Sequence, residues 1–196
     1  MILLDRSVAE LQKRIRAQEN ENRKIVRLQV ATGPLDLPAW LQAQPLFPKI
    51  YWHSRDGLRE YAGLGSAHFV NAGTEWNLRQ MISAMNTRLQ ESGSAQSRFF
   101  GGIKFDPAAP AGELWEEFGK ALFILPRIEI CREVDQYFLA CHLNTSESAD
   151  HQQEKQVCLQ QLRNLVTPNG RPANNAVLRI QSRRNLPNKS QWQQAV

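Results

Sequence analysis

The 196-residue chain is poor in cysteine: Cys131, Cys141 and Cys158 are all it has, an odd number with no CxxC spacing. Secreted disulfide frameworks use even numbers of cysteines and zinc sites use close pairs, so neither organises this fold. The three read as buried or half-buried thiols. No apolar run approaches the roughly 20 residues that a membrane helix needs, so no membrane partner is expected. The opening Met1-Ile2-Leu3-Leu4-Asp5 is too short and too soon acidic for a secretory signal. A cytoplasmic location follows as the expectation. Acidic residues are missing from the last part of the chain. Residues 155–196 carry seven basic side chains (Lys155, Arg163, Arg171, Arg179, Arg183, Arg184 and Lys189) and no acidic one, whereas residues 1–154 carry 17 basic and 19 acidic. The net charge of +5 therefore comes from the tail. Its basic residues are spaced among apolar ones rather than blocked together, as in a stretch whose acidic partners lie elsewhere in a longer chain. A nucleic-acid-binding arm is the rival reading. No aromatic-rich basic strand or recognition helix accompanies the charge, so no nucleic acid is expected as a partner.

Signatures of chemistry are as scarce. There is no GxxxxGK[ST] phosphate loop, and Gly63-Leu64-Gly65 is a fragment of a dinucleotide fingerprint. There is no GxSxG elbow. His53, His68, His142 and His151 have no HExxH or paired spacing, and each reads as a surface or satisfied core residue rather than a ligand. Glu113, Glu116 and Glu117 surround Trp115 and read as the solvated face of a short helix. No catalytic, cofactor-binding or metal-ligating residue is nominated. A complete enzyme of this size usually shows a set of acid, base and anion-binding groups, so their absence is itself an observation.

What is present is periodic. Val8, Leu11 and Ile15 mark a helix over about 6–20, capped at Asp5 or Ser7. Ile25 to Val30 alternates as a strand with Val26, Leu28 and Val30 on one face. Pro38 suits the first turn of a short helix carrying Trp40 and Leu41. Lys49 to His53 and Arg59 to Leu64 form a hairpin around Asp56-Gly57, and Ala67 to Asn71 adds a short strand. Leu78, Met81, Met85 and Leu89 give a helix over about 75–91, ended by Ser92-Gly93-Ser94. Arg98 to Phe105 reads as a strand interrupted at Gly101-Gly102, followed by a loop over 106–112. Ala121 to Arg132 and Gln136 to Leu143 read as two long strands joined at Glu133-Val134-Asp135. Ser146 or Ser148 could cap a helix reaching Val166, with Val157, Leu159, Leu162 and Leu165 as its apolar positions. Ala176 to Ser182 reads as a last strand and Ser190 opens a helix. The order predicts an α+β fold with a mostly antiparallel β-sheet flanked by helices.

Four segments, in order, carry a resemblance: Phe47-Pro48-Lys49-Ile50-Tyr51-Trp52-His53 with its hairpin to Gly63-Leu64-Gly65; Phe100-Gly101-Gly102-Ile103-Lys104-Phe105-Asp106-Pro107; Phe123-Ile124-Leu125-Pro126-Arg127-Ile128-Glu129; and Leu186-Pro187-Asn188-Lys189-Ser190-Gln191-Trp192. They resemble the amino-terminal half of isochorismate synthases of the menaquinone pathway. The motifs span residues 47–192, and residues 1–45 match in outline. The resemblance implies the amino-terminal part of an anthranilate-synthase-like β-sandwich, with 1–185 as scaffold and 186–196 as the start of the chorismate-binding catalytic region. It implies an enzyme that adds water at C2 of chorismate and expels the C4 hydroxyl. Mg2+ would be the cofactor, a lysine the base and a glutamate the acid. Those residues would lie beyond Val196, and Lys189, which precedes Trp192, is not the base. The chain alone is therefore expected to be inactive, and either stable through an autonomous amino-terminal subdomain or prone to self-association through surfaces its missing half would cover.

The motif residues have readings of their own. Tyr51 and Trp52 point to opposite faces of a strand, one packed inside and one outside. Gly101 and Gly102 mark a bulge or a close backbone approach, and Pro126 an edge or a bulge. Arg127 and Glu129 share a strand face and can pair with neighbouring charges. All read as scaffold. Two alternatives stay open. One is another chorismate-utilising synthase (anthranilate, aminodeoxychorismate or salicylate), which Ile2-Leu3-Leu4-Asp5-Arg6-Ser7 echoes loosely. The other is a free-standing, non-enzymatic interaction domain.

Overall fold

The structure, a computed structural model, describes residues 3–19, 24–72, 77–92, 94–106, 116, 118–145 and 151–167. The first helix, α1 (Leu3–Ala17), buries Leu4, Ser7, Leu11 and Ile15 along one stripe. It starts before the expected caps. Ser7 lies inside it and directs its hydroxyl at Leu3 O (3.0 Å) and Ala31 O (2.9 Å). Strand β1 (Ile25–Thr32) and helix α2 (Leu37–Ala43) follow as read. The Asp36 carboxylate accepts from Ala39 N at 3.0 Å and caps α2, with Pro38 in the first turn, where a missing N–H costs nothing.

The hairpin forms β2 (Lys49–His53) and β3 (Arg59–Leu64), with Gly57 at φ +74 in its turn. Strand β4 (His68–Asn71), helix α3 (Leu78–Glu91, capped by Asn77) and β5 (Phe100–Ile103) come next. Strand β5 runs through Gly101-Gly102 without the expected interruption. Of the two earlier readings for these glycines, the close approach holds at Gly101, where a Cβ would sit 1.9 Å from Leu122 O.

The stretch Ala121–Arg132 is not one long strand. It divides into β6 (Ala121–Leu125) and β7 (Ile128–Glu133), which belong to different sheets. The physical reason is Pro126, which has no N–H to give to a ladder; beside it the chain crosses from one sheet to the other. The crossing is pinned by Arg127 N donating to Leu64 O at 3.1 Å. Strand β8 (Gln136–Asn144) and helix α4 (His151–Arg163) complete the described elements.

Two antiparallel sheets result, one ordered β1-β8-β7-β3-β2 and the other β4-β6-β5. In the larger sheet, Val26, Val30, Ala62, Leu64, Ile128, Ile130, Leu139, Cys141 and Leu143 turn one face toward α1, α2 and α4. With Leu11, Ile15, Trp40, Cys158 and Leu162 they make the main core. Met81 and Met85 of α3 pack beside Ala121, Val70 and Phe123 of the smaller sheet. Ile25, Ala67 and Leu125, with Phe99, join the two layers. No helix among the described residues is long and apolar enough to cross a membrane.

Helix α4 differs from its expected apolar face. Its buried positions are Glu154, Lys155, Cys158 and Leu162, while Val157 and Leu159 stay partly exposed. Both charged residues are engaged. Lys155 Nζ donates to Gln18 O and, at 3.5 Å, to Arg16 O, placing a cation at the carboxyl end of α1 where the helix dipole favours it. Ser146, Ser148, the Ala176–Ser182 strand, the Ser190 helix and the motif at 186–192 lie outside the described residues, as does the acidic cluster apart from exposed Glu116.

Candidate functional site

The second face of the large sheet is polar, which is unusual for a surface sandwiched between layers. Cross-strand partners share a face, so Arg27 of β1, Glu129 and Glu133 of β7, His142 of β8 and Tyr61 of β3 all look the same way, toward the segment that joins α3 to β5. Arg27 and Glu129 are each 1% exposed and meet at 2.6 Å. The same guanidinium donates to Gln29 Oε1 and, at 3.0 Å, to Gln96 Oε1. Nearby, Tyr61 donates its hydroxyl to Glu133 at 2.9 Å, and Arg98 lies over the Tyr61 ring.

His142 is fully buried. One ring nitrogen, Nδ1, is 2.8 Å from Pro126 O, which can only accept, so Nδ1 carries the proton. Nε2 then accepts from Ser97 Oγ at 3.2 Å. Burial holds the imidazole pKa below its ordinary value. Cys131, beside this layer, has its thiol pushed up to about 12 by burial and then by the Glu129 charge. Cys141 is raised well above the usual thiol range by a hydrogen bond with Cys158 and by burial. Neither Cys131 nor Cys141 is a thiolate at neutral pH.

The carboxylates are committed. Glu129 serves Arg27; Glu154 serves Arg127 and accepts Asn144 N at 2.8 Å; Glu60 serves Arg132 at 3.1 Å and accepts Tyr51 Oη at 2.7 Å. Arg127 and Glu129 pair with neighbouring charges as expected, but not from one strand face: Arg127 precedes β7 and meets Glu154 of α4 on the helix side, while Glu129 meets Arg27 of β1 on the polar face. Magnesium prefers several convergent carboxylate and water oxygens. Among the described residues no group of three or more His, Cys, Asp or Glu comes together to hold a metal ion, so this donor set does not fit Mg2+. The arrangement ties β1, β7, β8 and α4 together through neutralised carboxylates.

A second feature lies at the rim. Strand β2 is the last strand of the large sheet among those described. Tyr51 and Trp52 were expected to divide between inside and outside, yet they are 47% and 44% exposed. The reason is position: an outermost strand has neighbours on one side, so alternation turns one ring past the helices and the other past the smaller sheet. Trp52 meets Tyr61, and Tyr61 meets Phe100, each at 5.7 Å between centroids. A groove of about 310 Å³ runs here between β2 and β5–β6, lined by Ile50, Trp52, Phe100, Phe118, Leu122 and Ile124. The sequence motif around Tyr51-Trp52 marked this strand, but edge position depends on strand order, which no local pattern encodes.

The chain matches the family described as "Chorismate binding enzyme" over residues 10–196. It is 28% identical over 152 residues to the isochorismate synthase MenF of Haemophilus influenzae, covering 76% of this chain and 30% of that protein. It is 30% identical over 119 residues to the isochorismate synthase MenF of Pasteurella multocida, covering 60% of this chain and 22% of that one. Its fold is similar to that of MenF, the menaquinone-specific isochorismate synthase from Escherichia coli, with a TM-score of 0.65 and 21% identity over 86% of this chain and 35% of the other. The chain thus spans about a third or less of the length of these relatives.

Proposed function

The chain belongs to the chorismate-binding enzyme family, and from that premise we propose that it forms the amino-terminal scaffold region of an isochorismate synthase of the menaquinone type. The likeness to the MenF enzymes carries this reading. The complete enzyme would convert chorismate to isochorismate in the cytoplasm with Mg2+, whose chemistry is to hold and polarise oxygen ligands. Residues 186–196 would open the chorismate-binding catalytic region. The described residues then serve to hold the sandwich together: buried Glu129 and Glu154 are neutralised by Arg27 and Arg127, which suits a frame. Taken alone, the chain would be inactive, and would either stand as an autonomous subdomain or self-associate.

The test is Mg2+-dependent formation of isochorismate from chorismate, resolved chromatographically, by the 196-residue chain and by the full product of its genomic reading frame. Turnover by the longer product alone is the expected result. Turnover by the 196-residue chain would overturn the scaffold assignment. A different product would move the parent to another chorismate-utilising synthase. Failure of both would favour a non-enzymatic interaction domain.

A further inference from the structure

The turn between β2 and β3 carries a junction with chemistry of its own. Aspartate followed by glycine is the pairing most prone to cyclise, because glycine has no side chain to hinder its amide nitrogen. Asp56-Gly57 is the one such pair in the chain, and Asn169-Gly170, its asparagine counterpart, lies outside the described residues. In the reaction the Gly57 nitrogen bonds to the side-chain carbon Cγ of Asp56. The amide proton and the carboxyl hydroxyl leave together as water, and a five-membered succinimide closes. Water then adds back. Opening at Cγ restores aspartate; opening at the main-chain carbonyl leaves isoaspartate, with the backbone rerouted through Cβ and Cγ. Two conditions govern the rate: the carboxyl must be protonated to lose its oxygen as water, and the nitrogen must give up its proton to attack.

The turn withholds both. Gly57 N donates to Ser54 O at 3.0 Å, so its proton is engaged and its peptide plane is fixed. Ser54 Oγ donates to Asp56 Oδ1 at 2.5 Å, and Leu58 N donates to the same oxygen at 3.0 Å. Donors of this kind favour the ionised form, and the Asp56 carboxyl is held below its ordinary range by the Ser54 hydroxyl first and the Leu58 amide second. Asp56 is exposed to water, so these bonds hold it, not burial. Ser54 is itself fixed: its hydroxyl accepts from Arg59 N at 2.9 Å, and its N–H donates to Arg59 O at 2.8 Å. Behind the turn, Arg132 Nη2 donates to Gly57 O at 3.0 Å and Val134 N to Leu58 O at 2.7 Å, which ties the hairpin to the turn between β7 and β8.

We propose that Ser54 is a guard residue: its hydroxyl and its carbonyl hold the two reacting groups of Asp56-Gly57 and keep isoaspartate from forming there. Every group in this latch belongs to the hairpin or to the turn behind it. The inference is therefore independent of what the rest of the polypeptide covers and of the reaction the complete enzyme performs. What is guarded is the register of β2 against β3. Isoaspartate would add a backbone atom to a turn whose length sets Trp52 opposite Tyr61 and His53 opposite Glu60.

The test ages the 196-residue chain and a blocked peptide of residues 50–62 side by side in the same neutral buffer. Isoaspartate is counted by methyl transfer from S-adenosylmethionine with an isoaspartyl methyltransferase. Mass spectrometry of the digested chain assigns it to position 56 and separates it from any formed at position 169. The folded chain should form isoaspartate at Asp56 at least about tenfold more slowly than the peptide, since two hydrogen bonds must open before the ring can close. Ser54→Ala should raise the rate in the chain at least about threefold, one of those bonds being lost. Ser54→Thr, which keeps the hydroxyl, should leave it unchanged. Amide hydrogen exchange across β2 and β3 shows whether the hairpin persists in each variant. If Ser54→Ala loses the hairpin, Ser54→Cys takes its place, because a thiol of similar shape is a weaker donor. A wild-type chain that reacts at the rate of the peptide would overturn the proposal. So would a folded variant lacking the hydroxyl that reacts no faster than Ser54→Thr.

Discussion

Arg27→Met tests whether the polar layer is held by one ion pair. Arg27 and Glu129 are 1% exposed, and both Nε (3.2 Å) and Nη2 (2.6 Å) of the guanidinium address the same carboxylate oxygen, Oε1. Removing one member of such a pair leaves an uncompensated charge in a dry site, which costs about 3–5 kcal/mol. The loss of the donor to Gln96 Oε1, which ties β1 to the segment after α3, adds about 1 kcal/mol. With a urea dependence of about 2 kcal/mol per molar, the midpoint should fall by about 2–3 M. The double variant Arg27→Met, Glu129→Leu removes both charges and should recover most of that loss, because buried pairs replaced by apolar residues are often close to neutral. Equilibrium urea unfolding followed by circular dichroism measures all three proteins. The reasoning fails if Arg27→Met costs less than about 1 kcal/mol, as an exposed pair would, or if the double variant is no better than the single.

Three further outcomes follow from the same geometry. The depressed pKa of His142 means that the unfolded chain binds a proton here before the folded one does; stability is complete above about pH 6.5 and falls as pH drops below it toward the folded pKa, by up to about 1.4 kcal/mol per pH unit. His142→Gln should flatten that slope in urea titrations between pH 7.5 and 5.5, and an unchanged slope would assign the acid sensitivity elsewhere. Ellman's reagent should find no reactive thiol in the native protein and three after denaturation, since Cys131, Cys141 and Cys158 are buried. Gly101→Ala should cost about 3 kcal/mol, the upper end of overpacking, because the new methyl meets the Leu122 carbonyl and Phe123 Cα, which are backbone and cannot turn aside; differential scanning calorimetry would register the drop, and an unshifted transition would mean that β5 and β6 can separate freely.

Much of the fold is legible because local chemistry writes it locally. Asp56-Gly57 places a hairpin that needs a positive φ, and Gly57 supplies it. The Met81–Met85 spacing puts α3 on the smaller sheet. The sandwich is a different matter. Ala121–Arg132 is a near-continuous β-forming run, and a run of propensity does not say which sheet each half joins; Pro126 was the single mark of the crossing. The same holds for α4, where Glu154 and Lys155 look solvated until Arg127 and the carboxyl end of α1 arrive from distant sequence. The exposure of Tyr51 and Trp52 likewise depends on β2 ending a sheet whose order is non-sequential. The family likeness was readable because it rests on ordered short motifs, three of which fall on β2–β3, β5 and the β6–β7 crossing.

The pairing of β1 with β8 sets a timetable for folding. Ile25 lies opposite Asn144, about 120 residues later in the chain. At synthesis rates of about 5–20 residues per second, β1 leaves the ribosome roughly 6–24 seconds before its partner exists. For that interval Val26, Leu28 and Val30 have α1 to lie against and no sheet to join, while β2 and β3 can already close as a hairpin. Nascent chains should therefore collapse around β2–β3 first and accept α1–β1 last, so that the strand nearest the amino terminus is the final piece of the large sheet to settle.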